Sequence, residues 1–68
     1  MHTLSQLKSG ELAGITRLKI SENLTCFPVE ILSLADSLEI LDLSDNQLTA
    51  LPNELVKLKK LKIIFASN

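Results

Sequence analysis

One pattern of leucines, closed by an asparagine and a proline, constrains the fold of this chain more than any other feature. Residues 38–52 read LEILDLSDNQLTALP, which is LxxLxLxxNxLxxLP with x for any residue. Leu41 and Leu43 alternate with other residues, so a short strand sends both leucines to one face. Asn46 follows where the strand turns away, and a buried amide there can satisfy backbone N–H and C=O groups. We therefore predict a strand, a turn held by Asn46 and a structural role for Pro52.

The same pattern occurs once before, with an offset of 23 residues (positions 15 and 38). The matching pairs are Leu18 and Leu41, Ile20 and Leu43, Asn23 and Asn46, and Pro28 and Pro52. Between its asparagine and its proline the first copy is one residue shorter. Its turn is therefore tighter, and Asn23 can adopt a positive φ there. The sequence therefore allows two roles for Asn23, that of a second buried amide and that of a turn residue.

The period divides the chain into four segments. They are an N-terminal cap, a first repeat, a second repeat and the first strand of a truncated third repeat, at residues 1–14, 15–37, 38–60 and 61–68. In the cap, Thr3 or Ser5 could begin a short helix that ends near Gly10. Apolar residues follow each proline and predict a short α or 3₁₀ helix that crosses over between parallel strands. They are Ile31, Leu32 and Leu34 after the first proline, and Leu55, Val56 and Leu58 after the second. The expected fold class is α/β, a solenoid fragment with parallel strands on its concave face and these helices on its convex face.

The repeats resemble the LPxxLxxL class of leucine-rich repeats over residues 15–68. The chain is also similar to the N-terminal repeats of bacterial leucine-rich repeat protein-kinase-like proteins, through the segments MHTL, GELAG, LTCFP and LADSLEIL. The resemblance implies a binding scaffold and a glycine-like turn at Asn23. It also implies an alternative, the recruiting or regulatory part of a protein kinase whose catalytic domain lies beyond residue 68. Kinase motifs are missing from these residues, so we expect this chain not to be an enzyme.

Composition argues against several classes of partner. Fifteen leucines and six isoleucines accompany only two phenylalanines and no Trp or Tyr, so there is no aromatic platform for stacking bases. A formal net charge of −1 gives no attraction to nucleic acid or to an anionic membrane. The single cysteine cannot form an internal disulfide, and the N-terminus does not read as a secretory signal. We therefore expect a cytoplasmic protein that binds neither nucleic acid nor membrane.

Catalytic and metal-binding chemistry is not indicated. His2 is the only histidine, at a terminus expected to fray, with no second ligand at a metal-binding spacing. Cys26 has no histidine base nearby in sequence and is expected to be a half-buried thiol. The lysines within residues 57–62 fit a solvated convex face better than a phosphate or acidic-partner site. We expect no catalytic residue, no cofactor and no metal.

The residues that alternate with the inward leucines predict a binding surface. They form three rows, Arg17–Ile40–Ile63, Lys19–Asp42–Phe65 and Ser21–Ser44–Ser67. Cross-strand ion pairs, Asp42 with Lys19 and Glu39 with Lys62, would account for the charges. The apolar members of the rows have no such role, and exposed apolar clusters often mark contact surfaces. Strand propensity alone is the competing explanation for Ile and Phe at these positions.

We predict that six of these residues bind a protein partner or later repeats of the same chain. They are Arg17, Lys19, Ile40, Asp42, Ile63 and Phe65. The last strand is expected to be an unpaired edge, which could also allow self-association.

Overall fold

Three short parallel strands form one sheet in the computed structural model, which describes residues 1–66. The strands are β1 (Arg17–Lys19), β2 (Ile40–Asp42) and β3 (Ile63–Phe65), side by side in chain order. Leu18 pairs with Leu41, and Leu41 pairs with Ile64. Each step is 23 residues (18, 41 and 64), so the strand positions that the sequence period predicts are confirmed. An α/β arrangement with parallel strands is confirmed with them.

A short 3₁₀ helix follows each proline. The first 3₁₀ helix is Val29–Leu34 and the second 3₁₀ helix is Asn53–Lys57. The C=O of Pro28 accepts the N–H of Ile31 at 3.0 Å, and the C=O of Pro52 accepts that of Leu55 at 3.2 Å. Each proline therefore lies just before its helix and closes the first turn with its carbonyl. This start needs no N–H from proline, which has none.

Ten buried apolar side chains form one core between the sheet and the helices. They are Leu7, Leu12, Leu18, Ile20, Ile31, Leu34, Leu38, Leu41, Leu43 and Leu58. The core thins toward the C-terminal side, because Ile64, at the position equivalent to Leu41, is 36% exposed. Val56, in the second 3₁₀ helix, is 85% exposed and lies outside this core.

The N-terminal cap contains a six-residue helix, α1 (Leu4–Ser9). Thr3 is its N-cap and forms a capping box with Gln6, which satisfies two N–H groups that the helix start leaves free. Gly10 ends the helix at a φ of 86°, a conformation that favours glycine. Thr3, and not Ser5, is thus the capping residue.

The outer edge of β1 is covered by the residue that was expected to fray. The N–H of His2 donates to the C=O of Lys19 at 2.8 Å, and His2 Nδ1 accepts the N–H of Lys19 at 3.3 Å. The carboxylate of Glu22 also accepts the N–H of Leu4 at 2.8 Å, which ties α1 to the turn after β1. The expectation for His2 is therefore wrong, because it pairs with the first strand.

Candidate functional site

The sheet face opposite the core carries all six predicted binding residues. The register aligns Arg17, Ile40 and Ile63 in one row and Lys19, Asp42 and Phe65 in the next. Neighbouring residues of β1 and β2, Leu18 and Leu41, point into the core, so these six point away from it. The third row includes Ser67, which lies outside the described residues. The structure thus brings the six residues together on one surface.

The apolar part of this face is open to solvent on β3. Ile63 is 45% exposed and Phe65 is 50% exposed. Ile40 is half-buried, because it lies on the central strand between Arg17 and Ile63. We call Ile40, Ile63 and Phe65 the apolar patch. Strand propensity alone does not require neighbouring exposed side chains of this size, and exposed apolar clusters often mark contact surfaces.

Both ion pairs that the sequence predicts between neighbouring strands are present. Lys19 Nζ lies 3.6 Å from Asp42 Oδ2, and Lys62 Nζ lies 3.6 Å from Glu39 Oε1. Such exposed pairs contribute about 0–1 kcal/mol each. Both expected pairs are therefore confirmed. Contact between neighbouring strands accounts for them.

Hydrogen bonds hold Asp42 in its charged form. The hydroxyl and the backbone N–H of Ser44 both donate to Asp42 Oδ1, the latter at 3.0 Å. These two bonds, followed by the nearby charge of Lys19, lower the pKa of Asp42 below its ordinary value of 3.8. They favour the carboxylate over the neutral acid, so the end of β2 is stabilised by an ionised Asp42.

Lowering the pH is therefore expected to lower the free energy of unfolding, because Asp42 becomes protonated. A carboxyl whose folded pKa lies below 3.8 contributes its stability above that value and loses it as the pH falls through the folded pKa. We expect an NMR titration to place the Asp42 pKa below 3.8, and Ser44→Ala to raise it. In Asp42→Asn, the free energy of unfolding should also fall less steeply as the pH is lowered. An Asp42 pKa that did not change in Ser44→Ala would contradict this account.

Asn46 is buried, with 2% of its surface exposed, and it joins two turns. Its Oδ1 accepts the N–H groups of Glu22 at 3.0 Å and Leu24 at 3.1 Å. Its Nδ2 donates to the C=O of Ile20 at 2.8 Å and to that of Leu43 at 2.9 Å. The predicted buried amide is confirmed, but most of its partners lie in the preceding turn. Asn46 therefore links the first turn to the second.

The two matching asparagines have different roles. Asn23 is exposed and has a φ of 55°, so it is a turn residue and not a second buried amide. In the second turn the positive φ occurs one position earlier in the pattern, at Asp45, with a φ of 63°. This shift leaves Asn46 free to point inward. Asp45 was not identified from the sequence, although Asp tolerates this conformation better than most residues.

A cleft of about 320 Å³ lies between the loops that precede the two 3₁₀ helices. It is lined by Thr25, Cys26, Phe27, Val29, Thr49, Ala50, Leu51 and Pro52. Cys26 is exposed there, which corrects the expectation of a half-buried thiol. Sequence reasoning missed the cleft, because it forms only where loops 24 residues apart (Cys26 and Ala50) lie side by side. In the described part of the chain, no three His, Cys, Asp or Glu residues are grouped as a metal ion requires.

The lysines of residues 57–62 are exposed, as expected for a solvated surface. Lys59 pairs with Asp36 at 2.9 Å, and this hydrogen bond and charge lower the pKa of Asp36. Both side chains are largely exposed, so the pair is a surface contact between consecutive units. It requires no ligand.

None of the helices within residues 1–66 has the length and apolar character needed to cross a membrane. Comparison of the chain with protein-family models, with curated protein sequences and with solved structures finds no match.

Proposed function

We propose that this chain is a non-catalytic protein-interaction module made of leucine-rich repeats, and that it binds a protein partner with the open face of its sheet. The observation that carries the proposal is the apolar patch, in which Ile63 and Phe65 are 45% and 50% exposed. Exposed apolar clusters of this kind often mark contact surfaces, which favours binding of another protein at this face.

The repeat assignment draws support from three features. Equivalent strand residues recur every 23 positions (18, 41 and 64), a 3₁₀ crossover follows β1 and another follows β2, and Asn46 links consecutive turns. A leucine-rich repeat solenoid combines such features. We further place the protein in the cytoplasm, since its single cysteine suits a reducing compartment.

The chemistry of the face suggests the kind of partner. An apolar centre with charged residues at its margin is the usual anatomy of a protein interface. Arg17 is exposed and makes no salt bridge within residues 1–66, whereas Lys19 and Asp42 pair with each other. A partner surface with an apolar anchor for Phe65 and a carboxylate for Arg17 would therefore fit this face.

Selection from a random peptide library displayed on phage would test the proposal. Peptides selected on the immobilised chain should lose about tenfold or more in affinity when Ile63 and Phe65 are both replaced by serine. Val56→Ser is the matched control, because it removes an apolar side chain that is 85% exposed on the second 3₁₀ helix. Circular dichroism would verify that both variants remain folded. Equal losses in the two variants, or none in either, would contradict binding by the sheet face.

A further inference from the structure

The second edge of β3 presents free backbone groups. The N–H of Ile63 donates to the C=O of Glu39 at 3.2 Å, and the C=O of Phe65 accepts the N–H of Leu43 at 2.6 Å. Residues 63 and 65 thus direct their backbone groups toward β2. Alternation along a strand directs the N–H and C=O of Ile64 to the opposite edge. Within residues 1–66, no strand pairs with that edge.

The two ends of the sheet differ in this respect. At the β1 end, both outward groups of Lys19 are bonded to His2. At the β3 end, those of Ile64 have no strand partner among the described residues. A head-to-tail contact between copies would bring an open edge against a covered one. Only a contact between two β3 edges satisfies both molecules, and such a contact is closed by a two-fold axis.

Exposed apolar side chains are concentrated at the same end. Within residues 1–66, all three residues of β3 are large exposed apolar side chains. They are Ile63, Ile64 and Phe65. The net charge of −1 adds little repulsion between two copies. Both features favour a second copy of this chain as the occupant of the edge.

We propose that two copies of the chain associate through antiparallel pairing of β3, with the two-fold axis at Ile64. The two Ile64 residues then exchange both of their hydrogen bonds, as a hydrogen-bonded pair does in an antiparallel ladder. Ile63 of one copy lies opposite Phe65 of the other on the open face. The two Ile64 side chains, each 36% exposed in the single chain, meet on the core side.

This contact is distinct from partner binding by the sheet face, because the hydrogen bonds lie on the edge. It is also small. A stable dimer takes roughly 800 Å² from each partner, which is nearly a fifth of the 4298 Å² surface of this chain. Pairing of one short strand therefore gives a weak dimer, and it should be sought at high concentration.

Sedimentation of the 68-residue chain from about 10 µM to about 1 mM should show the mass rise from 7.5 kDa toward twice that value. Ile64→Ala and Ile64→Pro both remove the side chain, but only proline also removes the outward N–H. Proline is tolerated on an edge strand where its N–H would face outward. We expect Ile64→Pro to dimerise at least about tenfold more weakly than Ile64→Ala. Equal dimerisation of the two variants, or a wild-type chain that stays monomeric throughout, would overturn the proposal.

Disulfide trapping tests the register without relying on proline. In a Cys26→Ser background, Ile64→Cys places the two Cα atoms about 5.5 Å apart across the axis, which suits a disulfide. Val56→Cys is the control, since Val56 is 85% exposed and belongs to the second 3₁₀ helix and not to β3. Mild oxidation should give covalent dimer with Ile64→Cys and at least about tenfold less with Val56→Cys. Similar yields from the two variants would rule out this axis, whatever the sheet face binds.

Discussion

Replacing Asn46 by leucine is expected to lower the free energy of unfolding by about 2–6 kcal/mol, because two buried carbonyls lose their donor at about 1–3 kcal/mol each. These are the C=O groups of Ile20 and Leu43, which accept Asn46 Nδ2 at 2.8 and 2.9 Å. Leucine has similar bulk, so packing alone would not produce this loss. The N–H groups of Glu22 and Leu24 lose their acceptor as well, but they are only partly buried.

The matched control for this change is Asn53→Leu, the same substitution at an exposed position of the second 3₁₀ helix. Its effect should stay within about 0.5 kcal/mol, as for most surface changes. Urea denaturation followed by circular dichroism would compare the variants. An osmolyte such as TMAO, present throughout, would keep weakly folded variants measurable. If Asn46→Leu were as stable as Asn53→Leu, the amide would not hold the two turns together.

The structural role of Asn46 was accessible from the sequence, and the reason is the repeat itself. A strand that ends in an inward leucine leaves turn groups that only a polar side chain can satisfy, and Asn46 occurs there. The period also predicts that Lys19 lies beside Asp42, which the 3.6 Å ion pair confirms. Contacts between equivalent positions depend only on the period, so they can be read from one sequence.

Contacts that involve positions outside the repeat could not be predicted from the sequence. His2 pairs with Lys19 across a segment that does not repeat, so no spacing indicates the contact. The positive φ of Asp45 could not be predicted from the repeat, because its equivalent, Glu22, has no positive φ. The first turn is one residue shorter than the second, and each turn places its left-handed residue where its own length requires.

The sequence predicted which residues form the candidate site, but not how exposed each of them is. The pattern identifies which residues of each strand face away from the core, and the register confirms the two described rows. Burial also depends on neighbours. Ile40 is half-buried because strands flank it on both sides, whereas Phe65 lies on the last described strand and is 50% exposed. On this face the residues of the central strand are therefore less exposed than those of β1 and β3, a difference that the sequence does not show.

On the core side, the central strand and β3 are expected to differ in their contributions to stability. Leu41 and Ile64 occupy equivalent positions in register, but Leu41 is fully buried and Ile64 is 36% exposed. Leu41→Ala should lower the free energy of unfolding by about 2–5 kcal/mol, since it removes buried methyl groups and leaves a cavity between two neighbouring strands. Ile64→Ala should cost about 1 kcal/mol, because its surroundings include solvent that can fill the space.

Denaturation at low concentration, where the chain is monomeric, would measure both changes without a contribution from association. In a chain of 68 residues the loss at Leu41 is comparable with the whole stability, so we expect Leu41→Ala to be unfolded while Ile64→Ala keeps its folded signal. Equal losses at the two positions would mean that Ile64 is covered in solution as fully as Leu41. The conclusion that the core is open to solvent at β3 would then be wrong. The argument that β3 pairs with a second copy would lose its support from this exposure.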